Sequence, residues 1–222
     1  MDRIPEPQLM TGDSQAEAYA LADFEDAHSR MIRLFQGTFY AQSIAGRVLD
    51  LGCGPGDIAC RFAATYPDVE VCGVDGSPAM LGHHAAVARR YHGIEGRVTV
   101  LHAMLPDCEL PQAQYDVIIS NSLLHHLDDP QVLWSSIRRF GKPGAPVFVM
   151  DLQRPDSMDE LEMLVEQYTA GEPEVLRHDF AKSLGAAYRT DEVKAQLVAA
   201  DLTELAVRAV TDRHLIVHGF VP

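Results

Sequence analysis

Short apolar runs alternate along this chain with stretches in which apolar residues recur at helical spacing. The apolar runs predict strands near residues 47–51, 69–75, 98–102, 115–121, 146–151, 205–211 and 214–219. Because strands that alternate with helices form βαβ units, the pattern predicts an α/β fold with a Rossmann-like, doubly wound, seven-stranded sheet that is mostly parallel. Only a short polar turn, residues 211–213, separates the last two strands, which predicts a C-terminal antiparallel hairpin.

Two regions fall outside this alternation. Residues 14–36 predict one or two amphipathic helices before the first strand, and residues 153–203 separate two strands by far more than a normal crossover. In the second region, Ser157 and Glu160 form a capping-box pattern, and another helix is expected to start near Thr190. The chain therefore divides into N-terminal helices (1–45), a core (46–152), a helical insertion (153–203) and strands that complete the core sheet (204–222).

A glycine-rich turn follows the first predicted strand, in residues 48–56 (VLDLGCGPG). Glycine allows a tight turn and a close approach of the backbone to a ligand, and the following residues predict the start of a helix. This strand, loop and helix layout is typical of nucleotide-type cofactor sites. The last glycine of a dinucleotide fingerprint would stand at position 57, which is Asp57, and a carboxylate there repels a pyrophosphate. The spacing favours a cofactor with a nucleoside and no phosphate.

Three further segments follow that loop in order: 73–81 (GVDGSPAML), 115–121 (YDVIISN) and 125–130 (HHLDDP). Together with residues 50–56 they give the chain, from about Arg47 to Leu152, a pattern that resembles the class I S-adenosylmethionine-dependent methyltransferases. Within this family, the chain is similar to the small-molecule methyltransferases of the ubiquinone and menaquinone biosynthesis group. The resemblance implies S-adenosylmethionine as cofactor, in-line methyl transfer to a small-molecule acceptor, and helices at the N-terminus and in the insertion that close over the acceptor.

The same resemblance implies roles for residues around the cofactor. Asp75, at the end of the second strand, would accept hydrogen bonds from the ribose hydroxyls, and Met80 would pack on the adenine. Asp50 would anchor the glycine loop through backbone N–H groups or bind the amino end of the cofactor. Tyr19 would close over the methionine moiety or be a core tyrosine. The remaining expected cofactor contacts are Gly52, Cys53, Gly54, Gly56, Gly76, Ser77 and Asn121.

The chain departs from the family after its third strand. The family commonly has an aspartate there that binds the adenine amino group, and no carboxylate stands at that place in this sequence. Either His102 or the backbone of Ala103 is therefore expected to take the adenine.

Candidate acceptor residues follow the fourth strand and extend into the insertion. His125 is the candidate general base, because the unperturbed pKa of histidine lies near neutrality, and a packed histidine is the alternative. Residues 177–180 are expected to form a recognition loop between helices. The candidate acceptor contacts are Ser122, His126, Arg154, Arg177 and Tyr188, with Arg213 and His214 as further contributors from the hairpin. No cluster of histidine, cysteine or aspartate has convincing metal spacing, so no metal is expected.

Composition narrows the partners. The chain has 222 residues, 47% of them hydrophobic, and a formal net charge of −14. Residues 151–204 hold 13 acidic and 5 basic residues, a balance of −8, and this charge opposes a nucleic-acid substrate. There is no membrane-length apolar run and no signal-peptide pattern, and the four cysteines form no CxxC pair. We therefore expect a cytoplasmic protein with free thiols and no membrane partner, in which Cys53 is a small loop residue and not a nucleophile. Its oligomeric state is open, with a homodimer as one alternative.

Three other functions stay open from the sequence. The acceptor could be a peptide or protein side chain instead of a metabolite or natural-product intermediate. The chain could bind the cofactor without catalysing methyl transfer. A nicotinamide-dependent oxidoreductase is the third alternative, which the spacing of Gly52, Gly54 and Gly56 opposes.

Overall fold

Seven strands build one sheet in the computed structural model, which describes residues 1–7, 12–22 and 24–222. The strands are β1 (Gly46–Leu51), β2 (Val69–Asp75), β3 (Val98–His102), β4 (Val117–Asn121), β5 (Pro146–Leu152), β6 (Ala206–Ala209) and β7 (His214–Phe220). Their order in the sheet is β3-β2-β1-β4-β5-β7-β6. The first five strands run parallel, and β7 pairs antiparallel with both β5 and β6. The predicted sheet and its C-terminal hairpin are confirmed.

Helices connect the strands and cover the sheet. They are α1 (Asp13–Leu21), α2 (Glu25–Thr38), α3 (Asp57–Thr65), α4 (Pro78–Leu81), α5 (His84–Ala88), α6 (Gln131–Phe140), α7 (Met158–Tyr168), α8 (Glu174–Ala186) and α9 (Thr190–Ala199), with a short 3₁₀ helix at Leu124–His126. None of the helices in the described part of the chain is both long enough and apolar enough to cross a membrane.

The inner strands β1, β2, β4, β5 and β7 bury side chains on both faces, which explains why they read as continuous apolar runs, whereas the edge strands β3 and β6 are more exposed. On one face, Leu49 and Leu51 of β1 pack in a cluster with Trp134 of α6 and Leu197 of α9. On the other face, Val48 packs in a second cluster with residues of α2 and α3. The result is a three-layer arrangement in which the sheet lies between two layers of helices.

The long segment between β5 and β6 has two structural roles. Helix α9 belongs to the main core, because Val193 and Leu197 are buried there and Trp134 of α6 donates to Gln196 at 3.0 Å. Helices α7 and α8 instead form a small separate cluster with the end of β5. Within residues 153–203, the predicted lid is therefore narrowed to α7 and α8, because α9 belongs to the main core.

The helix starts follow the expected local chemistry, with one exception. Ser157 accepts a hydrogen bond from the backbone N–H of Glu160 at 3.1 Å and caps α7, and α9 starts at Thr190 as predicted. The expectation of a recognition loop at residues 177–180 was wrong, because these residues lie inside α8. Polar residues obscured the apolar spacing of this helix, whose buried positions, such as Leu184, lie near its end.

Candidate functional site

A cavity of about 460 Å³ opens at the carboxyl ends of β1, β2, β4 and β5. The chain continues from β1 to β2 on one side of β1, and later enters β4 on the other side of β1. The cavity therefore lies at the topological switch point, where open α/β sheets bind ligands. Residues of α1, α2 and α8 complete its wall. Of the residues predicted from sequence, the cavity wall contains Tyr19, Asp50, Gly52, Cys53, Gly54, Asp75, Gly76, Ser77, Met80, Ala103, Asn121, Ser122, His125, His126, Arg213 and His214.

The loop between β1 and α3 needs its glycines for two separate reasons. Gly52, Gly54 and Gly56 have φ of +71°, +53° and +86°, a region that residues with a Cβ rarely adopt. Space is also short, because a Cβ on Gly52 would lie 2.8 Å from Leu123 and one on Gly56 would lie 2.6 Å from His84. Gly56 is outside the cavity wall, so it shapes the turn and does not line the site. The loop is a backbone cradle that side chains would fill.

Asp75 fastens this loop to the end of β2. Its Oδ2 accepts a hydrogen bond from the Gly54 backbone N–H at 2.8 Å, and its Oδ1 accepts one from Ser77 at 2.7 Å. Burial raises the pKa of Asp75, although these two N–H groups act in the opposite direction. Each carboxylate oxygen keeps a further acceptor position, so the side chain can also receive hydroxyl groups of a ligand.

Asp50 is buried at the floor of the cavity, with 1% of its surface exposed. Neither of its carboxylate oxygens is in full hydrogen-bond geometry with a described residue, and the backbone N–H of Ala59 on α3 is the one group that lowers its pKa. The first of its two expected roles, anchoring the glycine loop, was therefore wrong, because Asp75 does this. Burial, reinforced by the charge of Asp75, raises the pKa of Asp50 well above its usual value. An unpaired buried carboxyl is costly, so this position calls for a cationic or donor group from a ligand.

The apolar side of the cavity lies beyond Asp75. Met80 is buried on α4, held by Ser77, which caps that helix by accepting from the Met80 N–H at 3.2 Å. Ala103, Met104 and Leu105 continue this wall after β3. His102 does not join it, because its ring is exposed and its Nε2 lies 3.2 Å from the carbonyl oxygen of Gly76. His102 is therefore removed from the candidate contacts, and Ala103 stays.

Helix α1 places Tyr19 in the cavity wall, where its ring lies 4.6 Å from that of Phe24. Asp57 is the first residue of α3. Its Oδ2 lies 2.6 Å from Nδ1 of His28 and 2.6 Å from Nε of Arg61. Tyr91 donates to the other oxygen of Asp57 at 2.6 Å. These partners outweigh burial and hold the pKa of Asp57 below its usual value. The start of α3 therefore carries a fixed negative charge, which is unfavourable for a pyrophosphate.

His125 forms a buried pair with Asp151 at the end of β5. Nδ1 of His125 lies 2.5 Å from Oδ1 of Asp151, whose carboxylate also accepts from the backbone N–H groups of Leu124 and Leu152 at 2.7 Å each. Burial alone would lower the pKa of His125, but Asp151 outweighs it and the pKa is raised. The same pairing lowers the pKa of Asp151 against the effect of its own burial.

Glu6, from the N-terminal segment, faces both adjacent histidines. Its Oε1 lies 3.5 Å from Nε2 of His125 and 3.3 Å from Nδ1 of His126. Both ring nitrogens of His125 thus face carboxylates, so the structure does not support His125 as a general base that faces an acceptor. Burial and the neighbouring His125 lower the pKa of His126 to about 3. Glu6 and Asp151 were missed in the sequence, because neither is near the histidines along the chain.

Three predicted acceptor contacts lie outside the cavity wall. The guanidinium of Arg154 is buried and paired with both carboxylate oxygens of Glu192, at 2.6 and 3.1 Å. Arg177 pairs with Glu166 on the surface at 2.7 Å. Tyr188 donates to the Leu127 carbonyl at 2.9 Å and lies under Arg3. Arg154 and Tyr188 therefore have partners within the fold, Arg177 lies on the surface, and all three are removed as acceptor contacts.

Other side chains take their place at the outer end of the cavity. Arg213 lies with its guanidinium carbon 3.2 Å from the centre of the Tyr168 ring, and both side chains line the wall. Phe180 and Ser183 of α8 lie opposite, in the helix that was expected to be a loop. His214 is buried there, with Nδ1 3.0 Å from the Thr211 hydroxyl, and burial followed by the charge of Arg213 lowers its pKa to about 4. This end of the cavity mixes aromatic, cationic and hydroxyl groups.

The geometry fits a nucleoside-bearing cation better than a dinucleotide. The glycine cradle, the acceptor positions of Asp75 and the apolar wall at Met80 suit a nucleoside. The orphaned Asp50 suits a positively charged end group, and the charge of Asp57 opposes a pyrophosphate. S-adenosylmethionine has both required features, and Asp75 and Asp50 are the residues that would hold them.

Comparisons with known proteins agree with this fit. Residues 49–147 match the family model described as a methyltransferase domain. A ubiquinone/menaquinone biosynthesis C-methyltransferase of Syntrophotalea carbinolica is 36% identical over 154 residues, which are 68% of this chain and 62% of that protein. A trans-aconitate 2-methyltransferase of Methylobacterium nodulans is 33% identical over 141 residues, which are 64% of this chain and 48% of that protein. The chain thus spans less than two thirds of either relative.

Among solved structures, a methyltransferase from Aquifex aeolicus that is described as dependent on S-adenosylmethionine superimposes with a TM-score of 0.65. The match covers 94% of this chain and 98% of that protein at 18% sequence identity. At this identity the likeness concerns the fold, and it extends beyond the matched domain to nearly the whole chain.

Proposed function

We propose that this chain, which carries a methyltransferase domain of the class I S-adenosylmethionine-dependent kind, transfers a methyl group from S-adenosylmethionine to a small-molecule acceptor. The observation that carries the proposal is the cradle at the carboxyl end of β1. There, the glycine loop, the Asp75 carboxylate that holds it and the unpartnered Asp50 surround one cavity. Two relatives that share this region are named for ubiquinone/menaquinone biosynthesis and for trans-aconitate, which supports a small-molecule acceptor.

The cofactor, when bound, supplies a methyl group already activated on a sulfonium sulfur. The work of the protein is then to bind, to orient and to exclude water. Asp75 would accept the two ribose hydroxyls, and Met80 and Ala103 would enclose the adenine. Asp50 would take the α-amino group, which relieves its unpaired burial. Gly76 and Asn121 belong to the same wall, and Tyr19 would cover the methionine end.

The acceptor would occupy the outer end of the cavity, beneath α8. Ser122, Tyr168, Phe180, Ser183 and Arg213 line that end. The Arg213 guanidinium lies against the Tyr168 ring and has Asp212 as a neighbour at 3.4 Å, and its remaining N–H groups favour an acceptor that carries a planar or anionic group. We assign no general base, because both nitrogens of His125 face carboxylates. Positioning of the acceptor in line with the methyl group would supply most of the rate.

The volume of the cavity favours a metabolite-sized acceptor over a folded protein. About 460 Å³ is within the range of small-molecule sites, and the cofactor takes part of it. The cysteines are free thiols, which agrees with the proposed cytoplasmic location. The net charge of −14 is unfavourable for a nucleic-acid partner, and we propose none.

Transfer of a labelled methyl group tests the proposal. The protein is incubated with S-adenosylmethionine labelled in the methyl group and with a panel of small acids, phenols, quinols and amines, with short peptides as a separate arm. We expect label in at least one small molecule, and its loss in Asp75→Ala. Label only in peptides would favour the peptide alternative, and tight cofactor binding without label on any acceptor would favour a binding module.

A further inference from the structure

We propose that Glu6, His125 and His126 form a binding site for one divalent transition-metal ion, with Zn²⁺ as the best match. One atom of each residue, a carboxylate oxygen and two ring nitrogens, lies within 4.8 Å of the others. Two histidines and one carboxylate are a common donor set for zinc in proteins, and such three-ligand sites leave a fourth position open.

The separations favour a metal over direct hydrogen bonds. Oε1 of Glu6 lies 3.3 Å from His126 and 3.5 Å from His125, beyond the usual N–H···O range of about 2.7–3.2 Å. Ligands bound to zinc at about 2.0–2.2 Å in a tetrahedron lie roughly 3.3–3.5 Å from one another. The two separations from Glu6 therefore match those of atoms around one ion, and the two histidine nitrogens lie within 4.8 Å of each other.

Two of these atoms are buried and have no hydrogen-bond partner in the described part of the chain. They are Oε1 of Glu6, whose side chain is 9% exposed, and Nδ1 of His126. Unsatisfied buried polar atoms are costly, so two that lie 3.3 Å apart without a hydrogen bond between them need an explanation. A bound cation would satisfy both at once.

The outer partners also fit a metal site. Nδ1 of His125 lies 2.5 Å from Asp151, which directs Nε2 toward Glu6, and the ring of His126 is hydrogen-bonded to the Pro7 backbone. Metal-binding histidines normally donate their second ring N–H to a carboxylate or a carbonyl, which fixes the ring. Ser183 hydrogen-bonds the Glu6 carboxylate. His125 and His126 line the cavity, so the fourth position of the ion would face it.

The N-terminal segment that carries Glu6 is held in place by several bonds. Arg3 donates to the carbonyl oxygens of Ala186, His125 and Leu127 at 2.6 to 3.1 Å, and Ile4 donates to Gly185 at 2.9 Å. These hydrogen bonds to residues in and next to α8 and the 3₁₀ helix hold the segment of Glu6 in position. Metal binding would link this segment to the wall of the cavity.

Titration of the chelator-treated full chain with Zn²⁺, without any cofactor or acceptor, tests the site. The calorimetric titration is run at a fixed, mildly alkaline pH, and Co²⁺ is used in parallel because a tetrahedral site gives it strong visible absorption. We expect one ion per chain, and at least a tenfold loss of affinity in Glu6→Gln and in His126→Gln. Asp151→Asn should weaken binding about 10- to 100-fold by releasing the His125 ring.

The matched control is His102→Gln, an exposed histidine outside the cluster, which should bind Zn²⁺ like the unaltered protein. Glu6→Gln is the variant least able to disturb the core, so it decides the matter if His126→Gln fails to fold. No stoichiometric Zn²⁺ binding, or binding that Glu6→Gln leaves intact, would overturn the proposal. Neither result depends on methyl transfer.

Discussion

The carboxylate of Asp75 accepts a hydrogen bond from the backbone N–H of Gly54 at 2.8 Å, across 21 residues of chain. One side chain thus joins the end of β2 to the glycine loop after β1. If the same carboxylate also holds the ribose, cofactor binding and loop geometry depend on one residue.

We predict that Asp75→Ala weakens binding of S-adenosylhomocysteine by about 1–3 kcal/mol, because hydrogen bonds to a charged group are lost. Calorimetric titration of the variant measures this directly. Asp68→Ala, an exposed aspartate just before β2, is the control and should bind normally. Equal affinities in the two variants would remove Asp75 from the ribose site.

Asp50 should limit the stability of the ligand-free protein. A raised folded-state pKa means that the folded protein holds a proton that the unfolded chain releases, so stability falls as pH rises above about 4 toward the folded pKa. Asp50→Asn should remove this loss and raise the free energy of unfolding at neutral pH. It should also weaken S-adenosylhomocysteine binding by about 1.5–3 kcal/mol.

Urea unfolding from pH 4 to 8, with the calorimetric affinity, checks both effects of Asp50→Asn. Lower stability at neutral pH together with unchanged affinity would show that Asp50 serves the fold and not the ligand. We expect a more stable protein that binds S-adenosylhomocysteine less well. This combination is typical of a binding-site residue that lowers the stability of the ligand-free protein.

Substitution of two glycines distinguishes the effect of backbone strain from the effect of lack of space for a side chain. Gly52 and Gly93 have nearly the same φ, +71° and +73°, but a Cβ meets Leu123 at 2.8 Å at the first position and nothing within 4 Å at the second. Gly93→Ala should cost about 1–2 kcal/mol of stability and leave cofactor affinity unchanged. Gly52→Ala should cost roughly 1–3 kcal/mol more through overpacking and also reduce affinity.

Thermal melts and S-adenosylhomocysteine titrations of the two glycine variants provide the comparison. Similar losses of stability with full affinity in both would mean that the loop adapts to a side chain. In that case the cradle would not define the cofactor site.

His214 should make the protein sensitive to acid. Its folded pKa of about 4 lies below the unfolded value of about 6.5, so the unfolded chain takes up a proton first as pH falls. Stability is therefore lost between about pH 6.5 and pH 4, by roughly 3 kcal/mol for this residue. The burial of His214 is the main cause, helped by Arg213, while Asp151 and Asp212 oppose it.

In His214→Gln, the number of protons that the chain takes up on unfolding over that pH interval should fall by about one, so the free energy of unfolding should depend less on pH. Denaturant unfolding at several pH values measures the change. An unchanged slope would mean that His214 is protonated in the folded protein at neutral pH or is hydrated there.

The sheet could be predicted closely from the sequence because its signals are local. Strand β2 was predicted at residues 69–75, where it lies, and β3 at residues 98–102. The glycine loop was equally readable, since the backbone itself requires glycine at Gly52 and Gly54. Both features depend on neighbouring residues and on burial alone.

Side-chain pairing across long stretches of chain could not be predicted. Arg154 looked available to an acceptor because nothing in the sequence indicates that Glu192 lies beside it. His125 looked like a base because Asp151 and Glu6 reach it from other elements. Helix α8 was missed since its apolar residues face a small cluster and not the main core.

Calorimetric titration of the unaltered chain with S-adenosylhomocysteine, followed by NADH, shows which cofactor the cavity takes. We predict one binding site per chain for S-adenosylhomocysteine and no heat from NADH, because the cradle and Asp50 suit a cationic amino end and Asp57 opposes a pyrophosphate. Binding of NADH that S-adenosylhomocysteine displaces, or no binding of S-adenosylhomocysteine at all, would contradict it.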